Sequence, residues 1–237
     1  MNLRDVKRAA RSVVPESIAT RYDNHVVSRR LNTFEKSEAF SDGYSLMPFR
    51  NYKSIFIHVP KAAGISVAHA LFGCRGGGHA TYRDYYRHFG KEMSDFFVFS
   101  IVRSPVDRAF SAYTFLRSGG ISDFDRVMQK EVFSRFDSFS EFVIEYLNDD
   151  TCRKLLHFKP QVDFLKNSKG VLDIDFIGKF ENIDKDFSYI SERVIGRGGS
   201  LVALNATKGK PKELNLDSGV VDKLNKIYVE DFEALGY

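Results

Sequence analysis

Two apolar segments constrain the fold of this chain more than any other feature of its sequence. Residues 96–102 have the sequence Phe-Phe-Val-Phe-Ser-Ile-Val, and residues 54–59 form a shorter run of the same kind. Strands that are apolar on both faces are typical of parallel sheets covered by helices on each side. Helical periodicity follows both segments, and residues 175–178 are predicted as a third short strand before another helix. The sequence therefore predicts an α/β fold of three layers, with a central parallel sheet flanked by helices.

The chain is long enough for one such domain and a lead-in. Its 237 residues fit a single large α/β unit. Near the N-terminus Leu3, Val6 and Ala10 recur at helical spacing, with basic residues between them, so residues 1–50 are predicted to be a basic helical lead-in that contains one more helix. The first helix can lie on an anionic membrane surface, as a peripheral contact, or pack on the domain or a partner. Residues 51–237 form the predicted domain.

Composition limits the partners and the compartment. A formal net charge of +4 suits an anionic ligand but is too small to indicate nucleic acid. No segment approaches the roughly 18 consecutive apolar residues of a membrane span, and no signal peptide is visible. Cys74 and Cys152 form no zinc pattern. Two reduced thiols in a cytoplasmic protein and one disulfide in a secretory compartment both fit this pair of cysteines.

The loop between the first strand and the next helix has the features of a phosphate cradle. It consists of Pro60, Lys61, Ala62, Ala63, Gly64, Ile65 and Ser66. The helix N-terminus presents unpaired backbone N–H groups, Gly64 lets the backbone approach an anion, and Lys61 adds a positive charge. The nucleoside-triphosphate loop ends instead in Gly-Lys-Ser/Thr, whose hydroxyl holds Mg²⁺. Since that arrangement is missing, the loop predicts phosphate binding without a metal and disfavours a kinase.

A second anion site is predicted after the second strand. Arg103 follows that strand directly, and Ser104 and Pro105 fit the cap and first turn of a helix. If the first two strands are parallel, Arg103 and the Lys61 loop lie at the same edge of the sheet, where open α/β folds bind ligands. Ser111 falls about two helical turns beyond Ser104, on the same face. An arginine fork and a hydroxyl can hold a second phosphate.

These two motifs and three further segments, in the same order, resemble the Golgi-type carbohydrate O-sulfotransferases, which include the chondroitin, dermatan and heparan sulfate sulfotransferases. Residues 57–66 resemble the family's 5′-phosphosulfate loop, and residues 99–113 resemble its 3′-phosphate motif, Arg-x-Pro followed by Arg and Ser-x-Tyr. The further segments are 157–161, 176–182 and 228–237. The resemblance runs from residue 54 to the end. It implies a P-loop-like fold and a sulfotransferase that uses 3′-phosphoadenosine 5′-phosphosulfate (PAPS) as sulfuryl donor, without a metal.

The resemblance also implies roles for individual residues. Lys61 would contact the 5′-phosphate and the bridging oxygen, and the rest of the loop at residues 60–66 would complete that site. Arg103 and Ser111 would hold the 3′-phosphate. Lys208 lies in a segment that resembles a family loop closing over the nucleotide.

The chain departs from the family pattern at two points. Ala62, Ala63 and Ile65 stand where small polar residues are common in the family, which removes side-chain hydrogen bonds but leaves the backbone cradle. The Golgi enzymes carry an N-terminal membrane anchor that this chain lacks, which favours a bacterial and cytoplasmic member, membrane-associated if the N-terminal helix binds lipid. A Golgi lumen location would apply only to a trimmed piece of a longer protein.

The acceptor hydroxyl must lose a proton, so the reaction calls for a base. His79 follows three glycines between the two phosphate motifs, and it resembles a histidine that is the base in the heparan 2-O-sulfotransferase branch. An imidazole titrates near neutral pH and suits this task. His58 is expected to pack or to orient the loop. Asp84 and Glu92 are the carboxylate alternatives, because other branches use an acidic base.

Two other functions fit parts of the pattern. A P-loop-type small-molecule kinase would bind Mg-ATP, and a non-catalytic interaction protein would bind the nucleotide without transfer. The resemblance favours a carbohydrate or glycolipid acceptor, but it leaves the sugar and the position open. Four aromatic residues can stack on sugar rings or fill the core, namely Tyr82, Tyr85, Tyr86 and Tyr113.

Overall fold

A computed structural model of the chain describes residues 16–201 and 216–237. The predicted N-terminal amphipathic helix and Lys208 lie outside the described residues. In the described ranges the helices are α1 (Glu16–Glu35), α2 (Met47–Asn51), α3 (Gly64–Phe72), α4 (Tyr82–Phe89), α5 (Pro105–Arg117), α6 (Asp123–Glu131), α7 (Phe139–Glu145), α8 (Asp149–Lys154), α9 (Val162–Leu165), α10 (Ile183–Ile195), α11 (Ser218–Ile227) and α12 (Val229–Leu235). Short 3₁₀ helices span Gly90–Asp95, Phe133–Arg135 and Phe180–Asn182.

The sheet has three parallel strands, and the second strand in the chain is the central one. The strands are β1 (Ser54–Ile57), β2 (Phe97–Val102) and β3 (Phe176–Lys179), in the order β1-β2-β3. Ser54 pairs with Phe97, and Phe99 pairs with Phe176. Helices separate consecutive strands, as parallel pairing requires. The predicted α/β fold with a central parallel sheet and flanking helices is confirmed, and each strand lies within one or two residues of its predicted position.

Local sequence signals set several helix boundaries. Ser138 begins α7, because its hydroxyl accepts the N–H of Glu141 at 3.1 Å. The Glu141 carboxylate reaches back to the N–H of Asp137, one residue before the position expected for a capping box. Gly196 ends α10 with a φ of 74°, which is the left-handed conformation that glycine adopts most easily.

The segment before the first strand packs on the domain. The sequence predicts one further helix in residues 16–50, whereas the structure has two, α1 and α2. Leu31 of α1 and Phe49 of α2 are buried in the cluster that covers the sheet, and Val27 and Phe34 pack against it. These α1 positions recur at helical spacing, which explains why a largely polar helix is held there. The domain boundary at residue 50 stays a prediction.

The buried apolar residues form two clusters. One surrounds the three strands. The other lies between α5, the helices that follow it, and α11. Cys74 belongs to the first cluster and Cys152 to the second, and both thiols are free. Within residues 16–201 and 216–237, no helix is both long and apolar enough to cross a membrane.

Candidate active site

The carboxyl ends of the three strands meet at one edge of the sheet. Lys61 follows β1, Arg103 follows β2, and Glu181 follows β3. Lys61 and Arg103 are near enough for the arginine charge to lower the pKa of the lysine. The parallel strands therefore bring the two predicted cationic residues to the same edge, as the sequence predicts.

The β1–α3 loop has an unusual backbone. Lys61 and Ala63 have φ values of 69° and 61°, in the left-handed region that residues with a side chain rarely adopt. A turn that contains such residues can point successive backbone N–H groups toward one side and form a concave anion site. Ala63 is also the N-cap of α3, so the loop joins directly to the positive end of that helix.

Gly64 is required by packing rather than only by access of an anion. A Cβ atom at Gly64 would lie 1.8 Å from Cδ2 of the His58 ring. The imidazole therefore fills the space against the loop backbone, and any side chain at this position would displace it. His58 lies one residue beyond β1 and is 7% exposed. The expectation that His58 packs beneath the loop agrees with this placement.

Lys61 is a half-buried cation without a carboxylate partner among the described residues. Its Nζ lies 4.0 Å from the centre of the Phe115 ring on α5. Burial lowers the pKa of Lys61 to about 8; the Arg103 charge acts in the same direction, and the Asp125 carboxylate opposes it. A bound anion near Nζ would favour the charged form again.

His79 is held beside His58 by a backbone hydrogen bond. Its Nδ1 lies 3.1 Å from the carbonyl oxygen of His58, and the two ring centres are 4.3 Å apart. Because a carbonyl can only accept, Nδ1 carries the hydrogen in this bond. In the neutral ring Nε2 is then unprotonated and able to take a proton.

A third histidine, His157, completes this cluster. Its ring centre lies 6.3 Å from that of His79 and 5.1 Å from that of Phe115. Its Nε2 is 3.8 Å from Oδ1 of Asp125 on α6. In the sequence His157 is marked only by its place in a segment of family resemblance, and no sequence pattern links Asp125 to it.

Burial keeps the three histidines neutral. It lowers the pKa of His79, as do the Arg30 and Lys61 charges, while the hydrogen bond to His58 acts the other way. Burial, then the charges of His79 and Lys61, lowers the pKa of His157 to about 4. The pKa of His58 lies well below its ordinary value, chiefly through burial. An unprotonated His79 is therefore the dominant form at neutral pH.

The two carboxylate alternatives are already engaged elsewhere. Asp84 accepts hydrogen bonds from the backbone and hydroxyl of Thr81 in the cap of α4, and it pairs with Arg87 at 2.7 Å. Glu92 is exposed and pairs with Arg50 at 2.9 Å. These contacts give both carboxylates a structural explanation and leave His79 as the better-placed candidate base.

The backbone of Arg103 is held from one side by a buried amide. The Gln161 side chain accepts the Arg103 N–H at 3.0 Å and donates to the Arg103 carbonyl at 2.8 Å. The Arg103 guanidinium lies over the Phe180 ring at 4.4 Å and forms no ion pair with any described residue.

Ser111 lies half-buried on α5, two helical turns after Ser104. Ser104 is the N-cap residue, but its side chain makes no capping bond.

Arg108, the second arginine of the Arg-x-Pro motif, is structural. It is fully buried and donates to the carbonyl oxygens of His157 at 3.0 Å and Lys159 at 2.8 Å. Its guanidinium lies 5.6 Å from the centre of the Tyr228 ring. Arg108 therefore holds the segment that places His157 in the histidine cluster.

A small pocket opens beside His79. It is lined by Tyr44, His58, Ile65, Arg75, Gly78 and His79. The Arg75 guanidinium lies 5.9 Å from the centre of the Tyr44 ring. Of the four tyrosines considered for sugar stacking, Tyr82, Tyr85 and Tyr113 are buried in the core, whereas Tyr86 is exposed. Tyr44 and Arg75 carried no sequence signal, because the pocket joins segments on either side of β1.

The fold and the site together define a class of protein. The chain is a P-loop-like α/β domain with two cations, Lys61 and Arg103, at the carboxyl edge of its sheet, beside a histidine kept neutral by burial. Within residues 16–201 and 216–237, no cluster of three histidine, cysteine or carboxylate side chains could hold a metal ion.

Comparison with known proteins identifies the family. Residues 45–237 match the sulfotransferase family, and the chain therefore belongs to it. A curated relative, carbohydrate sulfotransferase 14 of Danio rerio, is 29% identical over 116 residues. The match covers 43% of this chain and 31% of that protein, so this chain spans less than a third of the relative's length. The predicted membership of a sulfotransferase family is confirmed.

Proposed function

We propose that this sulfotransferase moves a sulfuryl group from PAPS to a hydroxyl of a carbohydrate acceptor. The observation that carries the proposal is the placement of Lys61, Arg103 and a neutral His79 around one edge of the sheet. This edge offers cations for an anionic donor and a base for a hydroxyl acceptor. Family membership supports the transfer reaction, and the name of the Danio rerio relative supports a carbohydrate acceptor.

Residues of this chain account for both ends of the donor. The concave backbone of the β1–α3 loop and Lys61 would hold the 5′-phosphosulfate. Arg103 and Ser111 would hold the 3′-phosphate, and Arg103 is available because no described carboxylate pairs with it. Lys208, which lies outside the described residues, is proposed to cover the nucleotide.

The mechanism needs one proton transfer and one charge stabilisation. The acceptor oxygen bonds to sulfur while the bond between sulfur and the 5′-phosphate oxygen breaks. His79 takes the hydroxyl proton on Nε2, because Nδ1 is occupied by the His58 carbonyl. Lys61 stabilises the negative charge that develops on the leaving oxygen, and such a preorganised charge lowers the barrier.

The pocket beside His79 is the proposed acceptor site. Tyr44 supplies an aromatic face, and Arg75 supplies N–H donors for the oxygen atoms of a sugar. A glycolipid acceptor would fit the same pocket, with the basic residues of the N-terminal segment at an anionic membrane surface.

The direct test is transfer of radiolabelled sulfate from PAPS to a panel of glycans and glycolipids. We expect labelling of a subset of these acceptors and no reaction with Mg-ATP as donor. Phosphoryl transfer from Mg-ATP would support the kinase alternative instead. Tight nucleotide binding without transfer to any acceptor would favour the non-catalytic alternative.

The base is tested by His79→Ala, with His25→Ala as the matched control because His25 lies exposed on α1. Transfer by the His79 variant should fall at least about a hundredfold, in the range for loss of a general base. Its affinity for adenosine 3′,5′-bisphosphate should be unchanged, since His79 contacts no phosphate in this scheme. Transfer within a few-fold of the control would exclude His79 as the base.

A further inference from the structure

The peptide between Arg103 and Ser104 is held from two sides, and both supports lead to residues 231–237. On one side the buried Asp231 carboxylate accepts the N–H groups of Gln161 at 2.9 Å and Val162 at 3.0 Å. The Gln161 side chain in turn bonds both the N–H and the carbonyl of Arg103. Because these hydrogen bonds fix the backbone of Arg103, only its guanidinium remains able to bind different partners.

On the other side the support passes through Glu181. One oxygen of the Glu181 carboxylate accepts the N–H of Ser104 at 2.7 Å, and the other accepts the hydroxyl of Tyr237 at 2.8 Å. Lys179 holds the same segment, because its Nζ donates to the Gly236 carbonyl at 2.6 Å and lies 4.3 Å from the centre of the Tyr237 ring. Both carboxylate oxygens of Glu181 are therefore engaged.

The position of Glu181 presents a physical problem for an anion site. The charges of Asp107 and then Glu181 raise the pKa of the Arg103 guanidinium, against the larger lowering by burial. Glu181 also accepts the N–H of Ser104, the residue next to Arg103, and a carboxylate within reach of an arginine can form an ion pair with it. Within the described part of the chain, however, Arg103 forms no ion pair and lies instead against Phe180. Something must keep the carboxylate from the guanidinium.

We propose that Tyr237 is a positioning residue for the 3′-phosphate site: its hydroxyl holds Glu181 on the N–H of Ser104 and so keeps Arg103 free for the phosphate. This inference rests on the proposed function, which assigns Arg103 to the 3′-phosphate. Without the Tyr237 hydroxyl, one Glu181 oxygen loses its donor and turns to Arg103. The carboxylate then competes with the 3′-phosphate for the same guanidinium.

The experiment compares two nucleotides that differ only in the 3′-phosphate, adenosine 3′,5′-bisphosphate and adenosine 5′-monophosphate, by titration calorimetry. Tyr237→Phe should weaken the bisphosphate about fivefold, the scale of a partly exposed charge interaction. Its affinity for the monophosphate should not change. Tyr189→Phe is the matched control, because Tyr189 is exposed on α10.

A second variant tests whether the Glu181 charge causes the loss of bisphosphate affinity in Tyr237→Phe. Glu181→Gln keeps an oxygen for the Ser104 N–H but removes the competing charge. In that background Tyr237→Phe should cause no further loss of bisphosphate affinity. A role of Tyr237 in folding alone would give the same loss in both backgrounds and for both nucleotides, and that result would overturn the proposal.

The outcomes separate this inference from the proposed function. If the wild-type protein binds the two nucleotides equally, the 3′-phosphate assignment of Arg103 fails, and the inference fails with it. If the wild-type protein prefers the bisphosphate and Tyr237→Phe keeps the same preference, the assignment stands and only the role of Tyr237 is rejected. Thermal unfolding of each variant shows whether the fold is retained.

Discussion

The pKa of Lys61 sets the alkaline pH at which we expect sulfate transfer to decline. Burial and the Arg103 charge lower the pKa of Lys61 to about 8 in the free protein. Stabilisation of the leaving oxygen requires the protonated amine, so the competent fraction is lost as the pH rises through that value. One pH unit higher, about a tenth of Lys61 remains protonated, and kcat/KM should fall roughly tenfold.

The decline of kcat/KM at acid pH has a different origin, the protonation of His79. His79 must be unprotonated to act as base, and burial lowers its pKa from the ordinary value. Activity should therefore be retained at neutral pH, and the acid limb should lie below the ordinary pKa of histidine. Since kcat/KM reports the free enzyme, its alkaline limb reflects Lys61 without a ligand. The alkaline limb of kcat should lie at higher pH, because a bound anionic donor raises the pKa of the amine.

The assay is initial-rate sulfate transfer between about pH 5 and pH 10, with both kinetic constants measured. Lys61→Arg keeps the charge throughout this range, so any residual activity should lack the alkaline limb. Lys91→Arg, at an exposed site, is the control that should keep the limb. Lys61→Ala should lower turnover by about two to three orders of magnitude. An alkaline limb shared by Lys61→Arg and the wild-type protein would refute the assignment to Lys61.

Two further substitutions test the framework of the site. Gly64→Ala places a Cβ against the His58 ring and should reduce both the affinity for adenosine 3′,5′-bisphosphate and the melting temperature. In the control Gly219→Ala, the new Cβ meets no atom within 4 Å, so the substitution should be neutral or slightly stabilising. Equal effects of the two substitutions would contradict the packing role of Gly64. Arg108→Ala leaves the partly buried carbonyl oxygens of His157 and Lys159 without their donor and should lower the free energy of unfolding by about 3 kcal/mol, measured in urea. An unchanged urea midpoint would show that those oxygens find other donors.

The sheet and the loop were predictable because their signals are local. The apolar runs before Pro60 and Arg103 each carry the whole signal for a buried strand within seven residues. Once the strands are parallel, the chain geometry places the residues after them at one edge. The two cationic residues of the site could therefore be located from sequence, although their roles stay predictions.

The supporting contacts were not predictable, because they join residues that are distant in sequence and leave no periodic pattern. Gln161 lies 58 residues from Arg103, whose backbone it holds. Tyr237 lies 56 residues from Glu181. Ser104 shows the limit of a local rule: it has the sequence of a helix cap, yet its own N–H is satisfied by a carboxylate that follows another strand.

The two cations of the site differ from Arg50 in having no ion-pair partner among the described residues. Arg50 lies over the Phe89 ring and also pairs with two carboxylates. Lys61 and Arg103 lie against the rings of Phe115 and Phe180. An aromatic face attracts a cation and holds its position but brings no negative charge that an incoming phosphate would have to displace. Burial against these rings also strengthens the attraction of each cation for a bound anion, because the local dielectric is lower than that of water. The aromatic rings thus hold the two cations in place and leave their charges available to an anionic ligand.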